Sequence, residues 1–401
     1  MRILQLCNKA PFPANDGSSI AIYNMGMGLL ANGVELHVLT INTKKHFKNE
    51  DAVDKDYKIK SNYISVYRNT DISIIGVISN IFSSDSYFVS RFYFKDFELQ
   101  LIKKLSTFIF DVIQLEGLFM GIYIPVIRKH SKAKIVLRAH NIEHLIWQRH
   151  IKSETSLIKK KYLQIQNNRL KKFESIVIKE VDSIVSITDI DKKIIFEMGF
   201  RKPMFTCITG VDVHVYRSKA AVNKKLKSIF HFASMDWMPN VEAVDWFLKY
   251  CWPDVLKAIP DVKFVIAGRN MPERFIQLVH PNITVIESVN DAGNFFKEHE
   301  VMLVPLLSGS GLRIKIIEGM AYGKAIVTTS IGAEGIQARN KKNIMIEDSP
   351  ENFSKAVIEL MSSNEKRVKM ETEAFHFAEK EFDNTVIVEG LVNFYKMELN
   401  V

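Results

Sequence analysis

Cysteine is scarce in this chain, and the three that it has, Cys7, Cys207 and Cys251, form no Cys-x-x-Cys pair. A sparse, odd-numbered set excludes a disulfide framework and a zinc cage, and it is typical of a reducing compartment. We therefore expect a cytoplasmic protein. No cluster of His, Cys, Asp and Glu has the spacing of a ligand set, so we expect neither a metal ion nor a cofactor.

Long apolar runs are also missing. A membrane-spanning helix needs about 20 apolar residues in a row, and no such window occurs. The apolar stretch at the N-terminus is short and interrupted, which predicts a first β-strand rather than a signal peptide. With 47% hydrophobic and 25% charged residues over 401 positions, the chain is not of the disordered class either.

Acidic residues are outnumbered in one half only. Residues 1–212 contain 31 Lys and Arg against 21 Asp and Glu, whereas residues 213–401 contain 23 against 24. The excess of +9 over the whole chain therefore lies in the first half, and it predicts an anionic partner there. Because no helix-turn-helix, zinc-finger or RNA-binding aromatic motif is present, we expect no nucleic acid.

Short apolar runs alternate with helical patterns, as in parallel sheets that are covered on both faces. The predicted strands are Arg2–Leu6, Val34–Ile41, Asp111–Leu115, Ile135–Arg138, Ser183–Ile187, Phe205–Ile208, Ser228–Phe232, Val262–Ala267, Ile283–Ile286, Val301–Leu307, Ala325–Thr329 and Ile344–Ile346. We expect two doubly wound domains, 1–212 and 213–378. A C-terminal helix within 379–401 is expected to pack back on the first domain.

Two local patterns concern helices. The spacing of Ile20, Tyr23, Met27 and Leu30 predicts the apolar stripe of the first helix. The Asp-x-Asp sequence at Asp189 looks like the metal motif of some sugar transferases. It directly follows a predicted strand and precedes a helix, so we interpret Asp189 as a helix N-cap.

Ligands of doubly wound sheets bind at the carboxyl ends of the strands, and two loops there carry candidate residues. The segment Pro11–Ser19, with Asp16 and Gly17, predicts a helix start whose N–H groups a ligand can approach; an ordinary capped turn explains it equally well. His140 and Asn141 follow the fourth predicted strand. A hydrogen-bonded structural histidine is the alternative there.

The strongest signal is the segment Val304–Met320, in which a strand ends, a Gly-Ser-Gly turn follows and a helix begins. Such a turn offers N–H groups and the positive end of a helix to an anion. Arg313 and Lys315 fall in the predicted first turn, which suits a bound diphosphate. Glu318 lies one turn beyond, where it can accept from ribose hydroxyls. The alternative is a surface helix with a chance Lys–Glu pair.

The order of these motifs resembles the family 4 glycosyltransferases. That family has the GT-B fold, in which two Rossmann-like, doubly wound α/β domains with parallel sheets face each other across a cleft. The resemblance covers nearly the whole chain. The segments that carry it are Pro11–Pro13 with Gly17, His140, Gly210–Asp212, Phe232–Asn240, Gly309–Ala321 and Glu334.

The chain departs from the family pattern near the donor phosphates. Ser310 stands where the family often has the first of two glutamates, and Ser234 and Pro239 stand near the usual Arg and Lys. We infer that Arg313 and Lys315 take over the neutralisation of the diphosphate.

The resemblance implies a retaining transfer of a hexose-type sugar from a nucleotide-diphosphate sugar to a glycan, lipid-linked or other acceptor. The setting would be bacterial-type surface polysaccharide or glycoconjugate synthesis. His140 and Glu318 are the expected catalytic residues. The expected donor-binding residues are Gly17, Asn240, Arg269, Ser310, Gly311, Leu312, Arg313, Lys315, Glu318 and Glu334, and the expected acceptor-side residues are Asp16, Glu116 and Asn141.

The acceptor itself is left open. Residues 141–181 contain nine Lys and Arg against four Glu, which predicts a helix with a basic face. The apolar residues interleaved with these charges are Leu157, Tyr162, Ile165, Leu170 and Phe173. Such a face fits a peripheral position on the anionic inner face of a membrane, and a plain solvated surface fits equally well. A GT-B-like sugar-nucleotide epimerase and a noncatalytic donor-binding homologue are the alternative functions.

Overall fold

The chain divides into two compact units. The first contains Met1–Gly210 together with Asn384–Val401, and the second contains Val211–Asp383. The computed structural model describes residues 1–12, 17–43, 53–70, 80, 85–213, 227–289, 291–309 and 312–401, without the side chain of residue 153. The chain enters the second unit at residue 211 and leaves it at residue 383, inside the predicted C-terminal segment.

A seven-stranded parallel sheet forms the centre of the first unit. Its strands are β1 (Arg2–Cys7), β2 (Glu35–Thr43), β3 (Ile64–Arg68), β4 (Val112–Glu116), β5 (Lys134–Ala139), β6 (Ser183–Ser186) and β7 (Met204–Thr206). Their order across the sheet is β3-β2-β1-β4-β5-β6-β7. The direction of winding reverses between β1 and β4, and ligands of such sheets bind beyond the carboxyl ends of those two strands.

Helices and connecting segments cover this sheet. In the described residues, the α-helices up to residue 197 are α1 (Gly17–Ala31), α2 (Lys55–Lys60), α3 (Tyr87–Ser90), α4 (Lys95–Thr107), α5 (Ile124–His130), α6 (Glu143–Ser153), α7 (Leu157–Glu180) and α8 (Asp189–Glu197), and a 3-10 helix spans Leu118–Tyr123. Every residue of β4 is buried, because helices lie on both faces of the sheet. This double burial is the reason for the continuous apolar strands of the sequence.

The second unit repeats the architecture with a six-stranded parallel sheet. Its strands are β8 (Ser228–Phe232), β9 (Lys263–Ala267), β10 (Ile283–Ile286), β11 (Val301–Val304), β12 (Ala325–Thr328) and β13 (Met345–Ile346). Their order is β10-β9-β8-β11-β12-β13, so the winding reverses between β8 and β11. Its helices are α9 (Met238–Tyr250), α10 (Trp252–Ala258), α11 (Glu273–Ile276), α12 (Ala292–Glu298), α13 (Ile314–Ala321), α14 (Pro350–Ser362) and α15 (Asn364–Phe382).

The last helix, α16 (Asn384–Glu398), belongs to the first unit and packs on α1. Val388 and Tyr395 of α16 are fully buried. The close approach depends on Gly28 of α1, because a Cβ atom there would lie 2.5 Å from Val388 Cγ2. No helix in the described ranges combines the length and apolarity that crossing a bilayer requires.

All twelve predicted strands are confirmed, with ends that differ by up to three residues. The prediction missed β3, whose residues are mostly exposed or half-buried. It pairs with β2 at the edge of the sheet, and an edge strand does not need the apolar run by which the others were identified.

Two predictions about helices are wrong in detail. The first helix exists, but its buried face contains Ile22, Met25 and Leu29 with Gly26 and Gly28 rather than the predicted stripe, of which Met27 is exposed. Small residues let α1 approach its neighbours closely, which a count of large apolar residues does not detect.

The N-cap of α8 is Thr188, not Asp189. The Thr188 hydroxyl accepts from the backbone N–H of Asp191 at 3.1 Å. The Asp189 carboxylate instead accepts from the Thr206 hydroxyl at 2.6 Å.

Candidate functional site

In the first unit, a buried carboxylate lies where the winding of the sheet reverses. Glu116, the last residue of β4, is fully buried and is the register partner of Cys7 on β1 and Arg138 on β5. Its Oε1 accepts from Gln5 Nε2 at 2.7 Å and from Gln114 Nε2 at 2.6 Å. Its Oε2 accepts from Arg138 Nη1 at 3.1 Å.

His140 completes this group. It follows β5 directly, and its Nε2 lies 2.6 Å from Glu116 Oε2. Burial raises the pKa of Glu116, but Arg138 and the His140 hydrogen bond outweigh burial and lower that pKa to about 2. Burial lowers the pKa of His140, and the hydrogen bond to Glu116 offsets only part of this effect. At pH 7 the pair is therefore a carboxylate and a neutral imidazole.

A second acidic group lies at the start of α6. Glu174 of α7 is buried and accepts from the backbone N–H of Glu143 at 3.0 Å and from that of His144 at 3.3 Å. Burial and the Glu174 charge raise the pKa of Glu143 to about 7, and a hydrogen bond from Asn141 offsets part of the rise. Glu143 can therefore exchange a proton near neutral pH, a property that the sequence interpretation did not assign to it.

In the second unit, the turn between β11 and α13 holds a buried guanidinium. Arg313 precedes the first residue of α13, so only Lys315 lies in the helix, and the prediction that both do is corrected. The Arg313 side chain is 4% exposed and lies 4.0 Å from Glu334 Oε2. Its Cζ lies 5.6 Å from the Trp237 ring centroid. Gly309 has φ 113°, and a Cβ there would lie 2.9 Å from Trp237, so this turn requires glycine.

Lys315 points to α9 rather than to Glu318. Its Nζ donates to Asn240 Oδ1 at 2.5 Å, and Asn240 Nδ2 donates to the backbone oxygen of Ser234 at 2.7 Å. Burial and the neighbouring Arg313 lower the pKa of Lys315 to about 7. Two cations thus lie together beyond β8 and β11, where this sheet reverses its winding.

A buried histidine on β8 lies close enough to Lys315 to feel its charge. His231 on β8 donates from Nδ1 to the backbone oxygen of Leu303 on β11 at 2.9 Å, and within the described part of the chain its Nε2 makes no hydrogen bond. Burial and the Lys315 charge lower the pKa of His231 to about 3. His231 is therefore neutral and adds no charge to the site.

Other predicted donor residues surround this turn. Glu318 is half-buried on α13, and Glu334 is exposed in the loop after β12. Leu312 is half-buried, with its Cδ1 3.5 Å from where a Cβ on Gly335 would lie. Arg269 is exposed after β9, and its backbone oxygen accepts from the N–H of Met235 at 2.8 Å.

The remaining predicted residues are less constrained or not described. Gly17 begins α1, and a Cβ there would meet no atom of the described residues within 4 Å. Asn141 is exposed beside the His140 group. Asp16, Ser310 and Gly311 lie outside the described residues. Within those residues, no three His, Cys, Asp or Glu side chains are grouped as metal ligands would be.

Comparison with known proteins gives this second-unit site a context. Residues 227–363 match the family model described as glycosyl transferases group 1. The matched residues include both cations and Asn240. A protein of Klebsiella pneumoniae, described as an uncharacterized 44.6 kDa protein in a cps region, is 22% identical over 97% of this chain and 98% of its own length.

Solved structures match over nearly the whole chain. Sucrose-phosphate synthase from Thermosynechococcus elongatus has a TM-score of 0.65 at 11% identity, with 100% of both chains covered. Anabaena HepE in complex with UDP-glucose has a TM-score of 0.63 at 11% identity, with 99% of both covered. A glycosyltransferase from Rickettsia africae has a TM-score of 0.63 at 14% identity, covering 99% of this chain and 98% of its own. The fold is therefore GT-B, and the comparisons together support a glycosyltransferase.

Sequence reasoning missed the residues that hold the predicted ones in place. Gln5, Gln114 and Tyr395 belong to the hydrogen-bond network of Glu116, and Trp237 covers Arg313. The strand register could have indicated Gln5 and Gln114, since both are inward-facing polar residues in otherwise apolar strands. No local signal indicates Tyr395, which comes from a helix about 280 residues away.

Proposed function

We propose that this protein is a glycosyltransferase that moves a hexose-type sugar from a nucleotide-diphosphate sugar to an acceptor, with retention of configuration. The second unit would bind the donor and the first the acceptor. The proposal needs no metal ion and no cofactor. The cps-region relative supports a role in capsule or other surface polysaccharide synthesis.

The observation that carries the proposal is the pair of cations beyond β8 and β11. Burial lowers the pKa of both Arg313 and Lys315, and a bound diphosphate would offset this cost of keeping them charged. Lys315 donates to the side chain of Asn240, the residue that follows Pro239, and the family resemblance expects a basic residue near Pro239. This supports Arg313 and Lys315 as the groups that neutralise the diphosphate and stabilise the charge that develops on it as the sugar departs.

The other donor contacts follow from this assignment. Glu318 would accept from the ribose hydroxyls, since it lies one helical turn beyond Lys315. Ser310, Gly311 and Leu312 would belong to the turn whose backbone N–H groups bind the phosphates. The other residues proposed for the donor side are Gly17, Arg269 and Glu334.

In the first unit, we propose that His140 contacts the reacting sugar. A neutral imidazole beside a fixed carboxylate can exchange hydrogen bonds with sugar hydroxyls without adding charge. Asp16, Glu116 and Asn141 are the residues proposed for the acceptor side. We assign no covalent nucleophile.

Donor binding tests the site directly. The first step is to screen a panel of nucleotide-diphosphate sugars that includes UDP-glucose. We expect at least one of them to raise the melting temperature of the protein. The Kd of that sugar should then rise about tenfold to a hundredfold in Arg313→Ala and in Lys315→Met, because each loses a charge-assisted contact. Glu318→Ala should also weaken binding. Calorimetry gives the Kd of each variant.

The control is Lys355→Met, which removes an equal charge from an exposed position on α14 and should leave the Kd unchanged. Unaltered affinity in both Arg313→Ala and Glu318→Ala would show that the donor binds elsewhere. A panel without any binder would contradict the donor assignment as a whole. Conversion of the donor alone into another nucleotide sugar would identify an epimerase instead.

We also propose that α7 rests on an anionic membrane surface. Ile158, Ile165 and Ile176 are exposed, and Lys161 and Lys172 are exposed on the same face of the helix. The predicted basic face includes Leu170 among its apolar residues. Leu170 is fully buried, so the exposed face of α7 differs from the predicted one. Near-surface cations contribute about 1 kcal/mol each on anionic lipid, and the isoleucines can enter the interface.

Vesicle flotation tests this surface. We expect the protein to float with phosphatidylglycerol-containing vesicles and not with phosphatidylcholine alone, and we expect Ile158→Ser combined with Lys161→Gln to reduce the floated fraction. The matched control is Ile109→Ser, since Ile109 and Ile158 are both 86% exposed and Ile109 lies outside α7. Failure to float with either vesicle, or equal losses in the variant and the control, would count against the proposal.

A further inference from the structure

A chain of buried hydrogen bonds runs from the C-terminal helix to His140. Tyr395 Oη donates to Gln114 Oε1 at 2.7 Å, and Gln114 Nε2 donates to Glu116 Oε1 at 2.6 Å. Glu116 Oε2 in turn lies 2.6 Å from His140 Nε2. Tyr395, Gln114 and Glu116 are all fully buried, so water does not compete for these bonds.

The direction of each bond in this chain follows from the carboxylate at its centre. An ionised carboxylate only accepts, so the Gln114 amide must present its nitrogen to Glu116, and its oxygen is left for the Tyr395 hydroxyl. For the same reason His140 must carry its proton on Nε2. In a neutral imidazole the other nitrogen, Nδ1, is then an acceptor.

We infer that Tyr395 is a positioning residue for His140: through Gln114 and Glu116 it holds the imidazole in the tautomer whose Nδ1 can accept a hydrogen bond from a sugar hydroxyl. The inference rests on the proposed function only for the role of His140. It assigns a task to α16 beyond the apolar core, to which Val388, Leu391, Val392 and Phe394 belong.

Each link restricts the next one. The Gln114 amide is held at both ends, by the Tyr395 hydroxyl and by the carboxylate, and without the hydroxyl its oxygen would lose its partner. Glu116 would then lose a fixed donor and rotate more freely, although Gln5 and Arg138 would still bind it. The ring of His140 takes its orientation from that carboxylate, so the effect reaches Nδ1 over three hydrogen bonds.

The test compares two buried tyrosines of the first unit. Tyr395→Phe removes the hydroxyl that donates to Gln114. Tyr57→Phe is the matched control, because Tyr57 is 2% exposed and its hydroxyl makes no hydrogen bond within the described residues. The readout is the pair of ring-nitrogen chemical shifts of His140 in the full-length protein with ¹⁵N-labelled histidine, assigned by the signal that His140→Gln removes.

In the wild-type protein we expect a protonated Nε2 and an unprotonated Nδ1. Tyr395→Phe should move both signals toward a mixture of tautomers, and Tyr57→Phe should leave them in place. The kcat for sugar transfer should fall about twofold to tenfold in Tyr395→Phe alone, the factor that corresponds to one neutral hydrogen bond.

Two results would overturn the inference: His140 signals that are unchanged in Tyr395→Phe, or equal changes in both variants, which would indicate general loosening. The spectra need no substrate, so they remain decisive even if the proposed function fails. Full transfer activity in His140→Gln would contradict the role proposed for His140 and would leave the spectroscopic result standing.

Discussion

Lys315 shows how neighbouring residues change the chemistry of one side chain. An isolated lysine keeps its charge to about pH 10.4, whereas burial and Arg313 lower the pKa of Lys315 to about 7. Near neutral pH this ammonium is therefore only partly charged, and a bound diphosphate would favour its protonated form. Binding of the donor is then coupled to uptake of a proton.

This coupling predicts a pH-dependent donor affinity. The Kd for UDP-glucose, or for whichever sugar nucleotide binds, should rise by up to tenfold per pH unit above about pH 7, since the free protein must first be protonated. Calorimetry between pH 6 and pH 9 measures it. His231, with a pKa of about 3, stays neutral over this range.

Two variants separate Lys315 from other titrating groups. Lys315→Arg keeps its charge throughout and should give a nearly flat profile, whereas Lys315→Met should bind weakly at every pH. A wild-type Kd that stays constant from pH 6 to pH 9 would disprove the coupling.

For single residues, the sequence predicts which side chains belong to a site better than it predicts which hydrogen bonds they make. His140, Glu116 and Arg313 could be selected because strand ends are predictable and ligands bind there. The bonds from Gln5 and Gln114 to Glu116 depend on the register of β1 against β4, and that of Lys315 to Asn240 depends on how α13 and α9 approach. Neither relation is encoded in a local pattern.

At the scale of secondary-structure elements, helices α1 and α16 pack so closely that their contact requires glycine at position 28. Gly28→Ala would put a Cβ 2.5 Å from Val388 Cγ2, so the helices would have to separate. We expect this substitution to lower the free energy of unfolding by about 1–3 kcal/mol. Urea unfolding followed by circular dichroism measures the change.

Gly390→Ala in α16 is the matched control. The new Cβ would lie 3.5 Å from Phe205 Cζ, an ordinary contact, and alanine favours the helix over glycine by about 0.5–1 kcal/mol. We therefore expect Gly390→Ala to leave the free energy of unfolding unchanged or to raise it slightly. A Gly28→Ala protein as stable as the wild type would show that the packing of α16 does not depend on its close approach to Gly28.

Prediction of the elements succeeded where burial on both faces forces a continuous apolar run. It failed for β3, which is half exposed at the sheet edge, and for the buried face of α1. In α1 the decisive residues are Gly26 and Gly28, whose importance lies in their small size. The hydrophobic pattern of the sequence therefore indicates which segments are buried. Which helices pack closely against each other becomes visible only in the structure.

Considered as a whole molecule, the chain separates its charge by unit. The first unit, Met1–Gly210 with Asn384–Val401, has 32 Lys and Arg against 22 Asp and Glu, and Val211–Asp383 has 22 against 23. The basic excess therefore belongs entirely to the unit proposed for the acceptor. The donor site relies instead on a few cations that are held in place by their neighbours.

The fold class could be predicted because alternating strands and helices admit few arrangements. The point at which the chain returns from the second unit to the first was harder to predict. α15 ends at Phe382 and α16 begins at Asn384, so a single residue separates helices of different units. Both helices are amphipathic, and nothing in their periodicity marks the change.

The return of α16 to the first unit also determines the order in which the two units can finish folding during synthesis. A ribosome releases the strands of the first unit, then all of the second unit, and only then residues 384–401. Because Val388, Leu391 and Tyr395 are fully buried in the first unit, its interior stays open until α16 emerges. Domains usually fold in the order in which they are made, but here the unit that starts first is finished last.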